Sequence, residues 1–112
     1  MLQWQLRREG TSLTVFLTGE IDHHTAGMVR PVIDGEILAA APARVVLDLS
    51  AVGFMDSSGI GLILGRQRLL AGLGGQLTVR GVSGQTAKLV RLAGAKISDE
   101  TGGILSEIDQ HG

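Results

Sequence analysis

The chain has 112 residues, a net charge of −1 and 44% apolar residues, so we expect a single domain, residues 1–112, with an aliphatic core. The near-neutral charge disfavours a nucleic-acid binder and a polybasic membrane binder, and no apolar run approaches the roughly 20 residues that span a bilayer. The lack of cysteine excludes disulfides, thiol catalysis and cysteine-based zinc sites, and it favours a soluble protein of the reducing cytoplasm.

Alternating residues open the chain. Apolar side chains occupy every second position from Leu2 to Leu6, and they do so again from Leu13 to Leu17. This period is typical of half-buried strands, and the short segment between the two runs contains Gly10. The sequence therefore predicts a β-hairpin.

A helix is predicted from about Asp22 to Ala41, with Asp22 as its N-cap residue. Its apolar positions repeat with helical spacing at Val29, Val32, Ile33, Ile37 and Leu38. Pro31 lies inside this segment and would either belong to a late first turn or kink the helix. Pro42 ends the segment.

A nearly continuous apolar run predicts a central strand at residues 44–49. Such runs are typical of parallel strands that are covered on both faces of the sheet. A strand, a helix and a second parallel strand form a βαβ unit, whose crossover is expected to be right-handed.

The segment DSSGIG, residues 56–61, lies between this strand and an apolar helix at residues 62–70. The first backbone N–H groups of a helix lack intrahelical partners, so a serine there is a favoured N-cap. The positive end of the helix dipole also favours an anion. A serine in this segment is therefore a cap, a nucleophile or a phosphate acceptor, and its position leaves all three open.

Glycine is frequent near the start of this helix, at Gly59, Gly61 and Gly65. Each interior glycine costs about 1 kcal/mol relative to alanine. We expect something to approach the helix backbone closely, either the neighbouring sheet or a partner protein. Tight packing of the helix on the sheet would account for at least one of the three glycines.

The rest of the chain continues the alternation of strands and helices. Residues 76–80 predict a strand, and Ser83 predicts the N-cap of a helix at residues 86–92. The side chains of this helix that we expect to face inward are Ala87, Leu89, Val90 and Leu92. A short edge strand at residues 95–98 and a last helix from Asp99 complete an α/β fold, with a mixed sheet of four to five strands flanked by about four helices.

Catalytic interpretations of the serines find little support. A hydrolytic triad would combine Ser58 with His23 or His24 and an aspartate. The Gly-x-Ser-x-Gly elbow of the α/β-hydrolases is absent, since Asp56 and Ile60 stand at its glycine positions. The glycine loops that bind dinucleotides and phosphates are incomplete as well. We therefore do not expect an enzyme.

His23 and His24 follow Asp22 and are candidate metal ligands. Adjacent helix residues point about 100° apart, whereas two ligands one turn apart share a face of the helix. With no cysteine and only His111 besides, we expect no metal site. Capping or surface roles are the better interpretation of these histidines.

Three other charged residues receive a structural interpretation. Asp48 ends a predicted strand, as the acceptor aspartate of a receiver domain does. The opening hairpin does not supply the acidic pair that such a domain needs. Arg66 and Arg68 are interpreted as residues of a solvated helix face.

The residues around Ser58 leave two interpretations about equally open, a plain pair of capping serines and a phosphorylation site. A phosphate would add a charge of about −1.5 to −2 beside Asp56, and Asp22 and Glu20 are expected nearby. The face would become strongly negative, and a partner that docks there would be repelled or blocked. This is a protein–protein switch without internal chemistry.

Two segments resemble the STAS domain of bacterial anti-sigma factor antagonists. The first is FMDSSGIGLILGR at residues 54–66. The second is GEIDHHTA at residues 19–26, which is similar to a signature of the sporulation member, the stage II sporulation protein AA type. Gly74-Gly75 and residues 92–94 also fit, so the resemblance covers nearly the whole chain and is weakest after residue 94.

The resemblance implies a mixed sheet flanked by helices, no catalytic activity and no cofactor. In this family the unphosphorylated antagonist binds an anti-sigma factor that is also a serine kinase, which frees the sigma factor for transcription. The kinase uses ATP to phosphorylate the second serine of the motif, here Ser58, and the product no longer binds. A PP2C-type phosphatase restores the active form. No nucleic acid and no membrane is expected as a partner.

The partner-binding surface expected from the resemblance comprises Glu20, Asp22, Asp56, Ser57, Ser58, Gly59 and Gly61. One alternative stays open within the same fold. The chain would then be a STAS module of another partner-switching system, in stress signalling or in the control of a phosphatase.

Overall fold

The computed structural model describes residues 1–98, which form five strands and three helices. In chain order they are β1 (Leu2–Glu9), β2 (Ser12–Ile21), α1 (His23–Ala40), β3 (Arg44–Met55), α2 (Ser57–Gly72), β4 (Gln76–Arg80), α3 (Gly84–Leu92) and β5 (Lys96–Ile97). The last helix expected from Asp99 lies outside the described residues.

One mixed sheet has its strands in the order β1-β2-β3-β4-β5. β1 and β2 form the predicted antiparallel hairpin, and β2, β3, β4 and β5 are parallel neighbours. Because each parallel strand lies beside the strand before it and such crossovers are right-handed, α1, α2 and α3 pack on the same face of the sheet.

The core lies between that face and the helices. The sheet residues that point towards the helices are buried, namely Leu13, Val15, Leu17, Val45, Leu47, Leu77 and Val79. The helices contribute buried residues that include Val29, Ile33, Ile37, Leu62, Ile63 and Leu70. Full burial of one such aliphatic side chain is worth about 1.5–3 kcal/mol, so this layer holds each helix, and therefore its first turn, against the end of a strand.

α1 confirms the predicted first helix and its N-cap at Asp22. Because α1 already begins at His23, Pro31 lies in its interior and not in its first turn. Ala41 ends the helix at a positive φ of 43°, and its N–H donates to the carbonyl oxygen of Ile37 at 2.8 Å.

β3 is longer than predicted, since it runs on to Met55 instead of ending at residue 49. β4 pairs with β3 only as far as Asp48, whereas β2 stays paired with β3 until Ile21 lies opposite Met55. The ends of β2 and β3 therefore project as a two-stranded ribbon beyond β4, and α1 and α2 both begin at the end of this ribbon.

The inward face of α3 is narrower than predicted. Ala87 and Val90 are buried, but Leu89 and Leu92 are 46% and 77% exposed. Residues three apart share a helix face, and a helix of nine residues packed on a sheet buries one stripe only. The expectation that Leu89 and Leu92 face inward is therefore wrong.

The opposite face of the sheet carries a polar cluster, and no described helix covers it. Asp48 lies inside β3, not at its end, and its Oδ2 accepts from Nε of Arg80 at 2.7 Å. Burial alone would raise the pKa of Asp48, but hydrogen bonds from Ser50 and Arg80 hold it below its ordinary value. The Arg80 guanidinium carbon also lies 5.7 Å from the ring centroid of Phe16. This ion pair joins β3 to β4 and has no receiver-like role.

Candidate functional site

The ribbon formed by β2 and β3 brings the two predicted signature segments together. Ile21 pairs with Met55, and the N–H of Asp56 donates to the carbonyl oxygen of Ile21 at 3.1 Å. Asp22 and Asp56 are the next residues along the two strands. The start of α1 and the start of α2 consequently lie side by side at one edge of the sheet.

The start of α1 is closed by a reciprocal cap. The N–H of Thr25 donates to Oδ1 of Asp22 at 2.9 Å, and the N–H of Asp22 donates to Oγ1 of Thr25 at 2.9 Å. The Thr25 hydroxyl also donates to the carbonyl oxygen of Glu20 at 2.9 Å, and Thr25 is only 6% exposed. The bond from the Thr25 N–H is the main cause that lowers the pKa of Asp22.

The start of α2 is capped by Asp56 and not by a serine, which corrects the interpretation of the serines as a capping pair. Oδ1 of Asp56 accepts from the N–H of Ser58 at 2.8 Å. Ser57 and Ser58 are thus the first two residues of the helix proper. Within residues 1–98 the Ser58 hydroxyl makes no hydrogen bond.

The three glycines of α2 differ in what surrounds them. A Cβ on Gly59 would overlap Cγ and Sδ of Met55 and lie 3.3 Å from its Cε. Apart from the helix's own backbone, no heavy atom of residues 1–98 would lie within 4 Å of a Cβ on Gly61 or on Gly65. The close approach predicted at this helix therefore occurs at Gly59, where a side chain from the strand before the helix makes it.

The surface around Ser58 combines carboxylates with exposed apolar side chains. Glu20, Asp22 and Asp56 lie at this edge, and the Glu20 carboxylate is 3.4 Å from the N-terminal ammonium group of Met1. Phe54, opposite Glu20 on the ribbon, is 54% exposed. Phe54 also lines a cleft of about 150 Å³ between the ribbon and the start of α3.

Sequence reasoning did not assign Phe54 to the site. Its only signal was its place immediately before the Met55-Asp56 pair, and the alternation of the strand did not show which face it would take. Exposure of a large aromatic ring beside polar residues is typical of protein–protein contact surfaces. Phe54 is therefore added to the candidate surface.

His23 and His24 are exposed at the start of α1, and neither hydrogen bonds to Ser58 in the described part of the chain. No group of three or more His, Cys, Asp or Glu side chains within residues 1–98 could hold a metal ion. Among the helices of that range, none is long and apolar enough to cross a membrane. His111 lies outside the described residues.

Arg66 does not belong to a solvated helix face, which corrects its interpretation from the sequence. It is 7% exposed, and its Nε lies 2.7 Å from Oδ1 of Asp34 on α1. Burial lowers the pKa of Arg66, and the charge of Asp34 opposes that effect. The ion pair links α1 to α2 below the two helix starts, whereas Arg68 is exposed as expected.

Comparison with known proteins identifies this arrangement. Residues 3–101 match the sequence model of the STAS domain. The chain belongs to the STAS domain family. An anti-sigma F factor antagonist of Paenibacillus polymyxa is 40% identical over 93 residues, which cover 83% of this chain and 80% of the relative. An anti-sigma-B factor antagonist of Listeria monocytogenes is 30% identical over 88 residues, or 78% of this chain and 75% of that relative.

Two solved structures of the anti-sigma factor antagonist SpoIIAA share the fold of this STAS domain. The unphosphorylated form has a TM-score of 0.77 at 29% identity and covers 97% of each chain. The phosphorylated form from Bacillus has a TM-score of 0.76 at 28% identity and covers 98% of this chain and 100% of the other. The chain is therefore a STAS-domain anti-sigma factor antagonist of the SpoIIAA type, and its backbone resembles both forms of SpoIIAA equally.

Proposed function

We propose that the unphosphorylated chain binds an anti-sigma factor that is also a serine kinase, and so releases the sigma factor. The kinase then transfers the γ-phosphate of ATP to Ser58, and phosphorylation ends the complex. The observation that carries this proposal is the state of the Ser58 hydroxyl, which is partly exposed and makes no hydrogen bond within the described residues.

The charges at this edge explain why one phosphate on Ser58 would be enough to end partner binding. The positive end of the α2 dipole tolerates an anion on Ser58, so the domain itself is not expected to be destabilised. Glu20, Asp22 and Asp56 already make the surface negative. A further charge of about −1.5 to −2 would repel or block a partner that is docked against this surface.

The proposed contact surface comprises Glu20, Asp22, Phe54, Asp56, Ser57, Ser58 and Gly61, without the Gly59 that was expected there. Gly61 is exposed, and in the described part of the chain no atom outside its own helix backbone lies within 4 Å of the position that its Cβ would take. Glycine costs about 1 kcal/mol at such a helix position, and the fold offers no compensating contact. Close approach by the partner accounts for this glycine. Gly59 contributes to the shape of the turn, because it is buried under Met55.

The wider setting follows from the same proposal. The whole chain, residues 1–112, forms one STAS domain that works in the cytoplasm without a cofactor or a catalytic centre of its own. A PP2C-type phosphatase removes the phosphate, and the sigma factor is one that controls sporulation. The 40% identity to an anti-sigma F factor antagonist supports this branch.

A second candidate has the same chemistry in another pathway. The 30% identity to an anti-sigma-B factor antagonist favours a partner-switching system in the stress response. Co-purification separates the two, since the first candidate brings down a kinase that also binds a sporulation sigma factor. The second brings down a kinase bound to a different sigma factor or a regulated phosphatase.

Phosphosite mapping tests the proposal. The purified protein is incubated with the serine kinase encoded beside its gene and with ATP, and the product is digested for phosphopeptide analysis. We expect one phosphate on Ser58, no phosphate on a Ser58→Ala variant, and normal labelling of Ser57→Ala at Ser58. Phosphate on Ser57 or Thr25, or no phosphate at all, would contradict the assignment.

A further inference from the structure

Met55 is the last residue of β3, and its side chain rests on the bare backbone of Gly59 in the first turn of α2. Its thioether fills the space that any other residue at position 59 would need for its Cβ. Met55 also packs against the hydrophobic core, so its side chain is held from below. The end of β3 therefore contacts the start of α2 through the Met55 side chain, which fits only because residue 59 is glycine.

Main-chain hydrogen bonds hold the other side of the same turn. The N–H of Asp56 donates to the carbonyl oxygen of Ile21 at 3.1 Å, and the N–H of Gly59 donates to the carbonyl oxygen of Asp56 at 3.0 Å. Ser57 and Ser58 lie between these anchors and the Met55 contact. The two residues project about 100° apart around the helix, so a rotation of the turn alters how directly each hydroxyl group faces a partner.

Exposure does not explain why Ser58 would be the acceptor, because Ser57 is the more exposed of the two. We propose that Met55, resting on Gly59, is a positioning residue that fixes the rotation of the first turn, so that Ser58 and not Ser57 is presented to the phosphoryl donor. This inference rests on the proposed function, in which a kinase phosphorylates Ser58.

Gly59→Ala disturbs this arrangement directly. Carbon atoms in contact lie about 3.5–4.0 Å apart, so the overlap with Met55 forces the turn or the thioether to move by more than an ångström. Displacements of about 1 Å can slow a reaction by about 100-fold when the reacting atoms must be aligned. We expect phosphorylation of Ser58 to slow by about 10- to 100-fold, and part of the phosphate to appear on Ser57.

Four variants, compared with the wild type, separate positioning from a general loss of structure. Gly65→Ala is the matched control, because it adds the same methyl group to the same helix at a position where no atom of residues 1–98 outside the helix backbone lies within 4 Å. Met55→Ala removes the contact from the other side, and it keeps the test valid if Gly59→Ala does not fold. The double variant Met55→Ala/Gly59→Ala gives the new methyl group the space that the thioether has left.

The readouts are the turnover number and KM of the kinase for each variant, and the ratio of phosphate on Ser58 to phosphate on Ser57. We expect both single variants to lower turnover more than they raise KM and to lower the ratio. The double variant should recover most of the ratio, and Gly65→Ala should behave as wild type. A variant that only lowers the melting temperature, without moving the first turn, would leave the ratio of phosphate on Ser58 to phosphate on Ser57 unaltered.

Two outcomes overturn the proposal. In the first, the wild type is phosphorylated on Ser58, and both single variants, Gly59→Ala and Met55→Ala, keep the wild-type turnover and site ratio. Met55 then does not position the acceptor, and the proposed function stands. If the wild type accepts no phosphate, or accepts it only on Ser57, the proposed function fails and this inference falls with it.

Discussion

The starts of α1 and α2 are two versions of one structure. Each follows a strand of the same ribbon, and each is capped by an aspartate, Asp22 or Asp56. Three residues after the cap, α1 has Thr25 and α2 has Gly59. Thr25 is buried and its Oγ1 accepts a hydrogen bond from the N–H of Asp22, whereas Gly59 has no side chain that could accept one.

The two helix starts differ in how completely their hydrogen-bonding groups are satisfied. At α1 the cap satisfies the backbone of both the strand end and the helix start, because Thr25 bonds to Asp22 and Glu20. At α2 one carboxylate satisfies one N–H, and the Ser58 hydroxyl keeps its full capacity for hydrogen bonds. The first helix start stabilises the fold, and the second leaves the Ser58 hydroxyl, at the positive end of a helix dipole, without a hydrogen-bond partner among residues 1–98.

The largest expected effect tests the open site. Ser58→Asp should weaken binding of the kinase partner by two or three decades, about 3–4 kcal/mol, because an unpaired charge is desolvated against the partner's surface. The fold should be preserved, since an anion at a helix N-terminus contributes about 0.3–1 kcal/mol in its favour. Titration calorimetry measures the first effect, and thermal melting measures the second.

Ser58→Ala is the control for this change. It should bind the partner as the wild type does and resist inactivation by the kinase and ATP. If Ser58→Asp loses binding only because it melts, Ser58 has a structural role and the comparison of the two helix starts is wrong. If Ser58→Asp binds normally, the affinity of the phosphorylated wild type separates two explanations. Either a negative charge at this position does not block the partner, or aspartate is too weak a mimic of a phosphate.

The closed site is tested by Thr25→Ala. The substitution leaves the Asp22 N–H and the Glu20 carbonyl without their buried partner, which should cost about 1–3 kcal/mol and several degrees of melting temperature. Thr25→Ser keeps the hydroxyl and should recover most of this loss. Equal melting of Thr25→Ala and Ser58→Ala would show that the two starts do not differ in stability.

Gly61→Ala refines the comparison at the open site. The free space around Gly61 predicts a gain of about 0.5–1 kcal/mol in stability together with weaker partner binding. Gly65→Ala should show the gain in stability without the change in affinity. Wild-type affinity of Gly61→Ala would mean that the partner does not approach this backbone.

The smallest effect is a pH dependence at the closed site. The pKa of Asp22 is lowered, chiefly by the bond from the Thr25 N–H. Its stabilising contribution is therefore present above the unfolded pKa of about 3.9 and is lost as the pH falls through the lower folded value. Asp22→Asn, which keeps a capping oxygen, should flatten this acid loss in denaturation experiments across the acidic range. An unchanged acid profile would contradict the role given to Asp22.

Local patterns were sufficient for most of the fold. The hairpin, the N-cap at Asp22 and the strands at residues 44–49 and 76–80 follow from alternation, capping preference and apolar runs, which depend on near neighbours in the chain. The structure confirms each of them, with β3 longer than predicted. Glu20 and Asp22 were also expected near Asp56, and the pairing of β2 with β3 brings these segments together.

The parts that sequence patterns missed depend on contacts between elements. Which residue caps α2 is decided by where β3 ends, and pairing with β2 carries that end to Met55. The burial of Arg66 depends on Asp34 of the neighbouring helix. The glycines of α2 predicted a close approach, but only the packing shows that Met55 makes it at Gly59.

The order of the strands in the sheet is also the order in which a ribosome makes them. Each new parallel strand joins the edge left by its predecessor, so every step closes one crossover and no strand must be inserted between two others. Loop closure is then limited to neighbouring elements, which favours rapid folding and assembly during synthesis. The ribbon and both helix starts are encoded before β4 begins at Gln76. We therefore expect the edge that carries Asp22, Asp56 and Ser58 to be among the first parts of the nascent chain to fold.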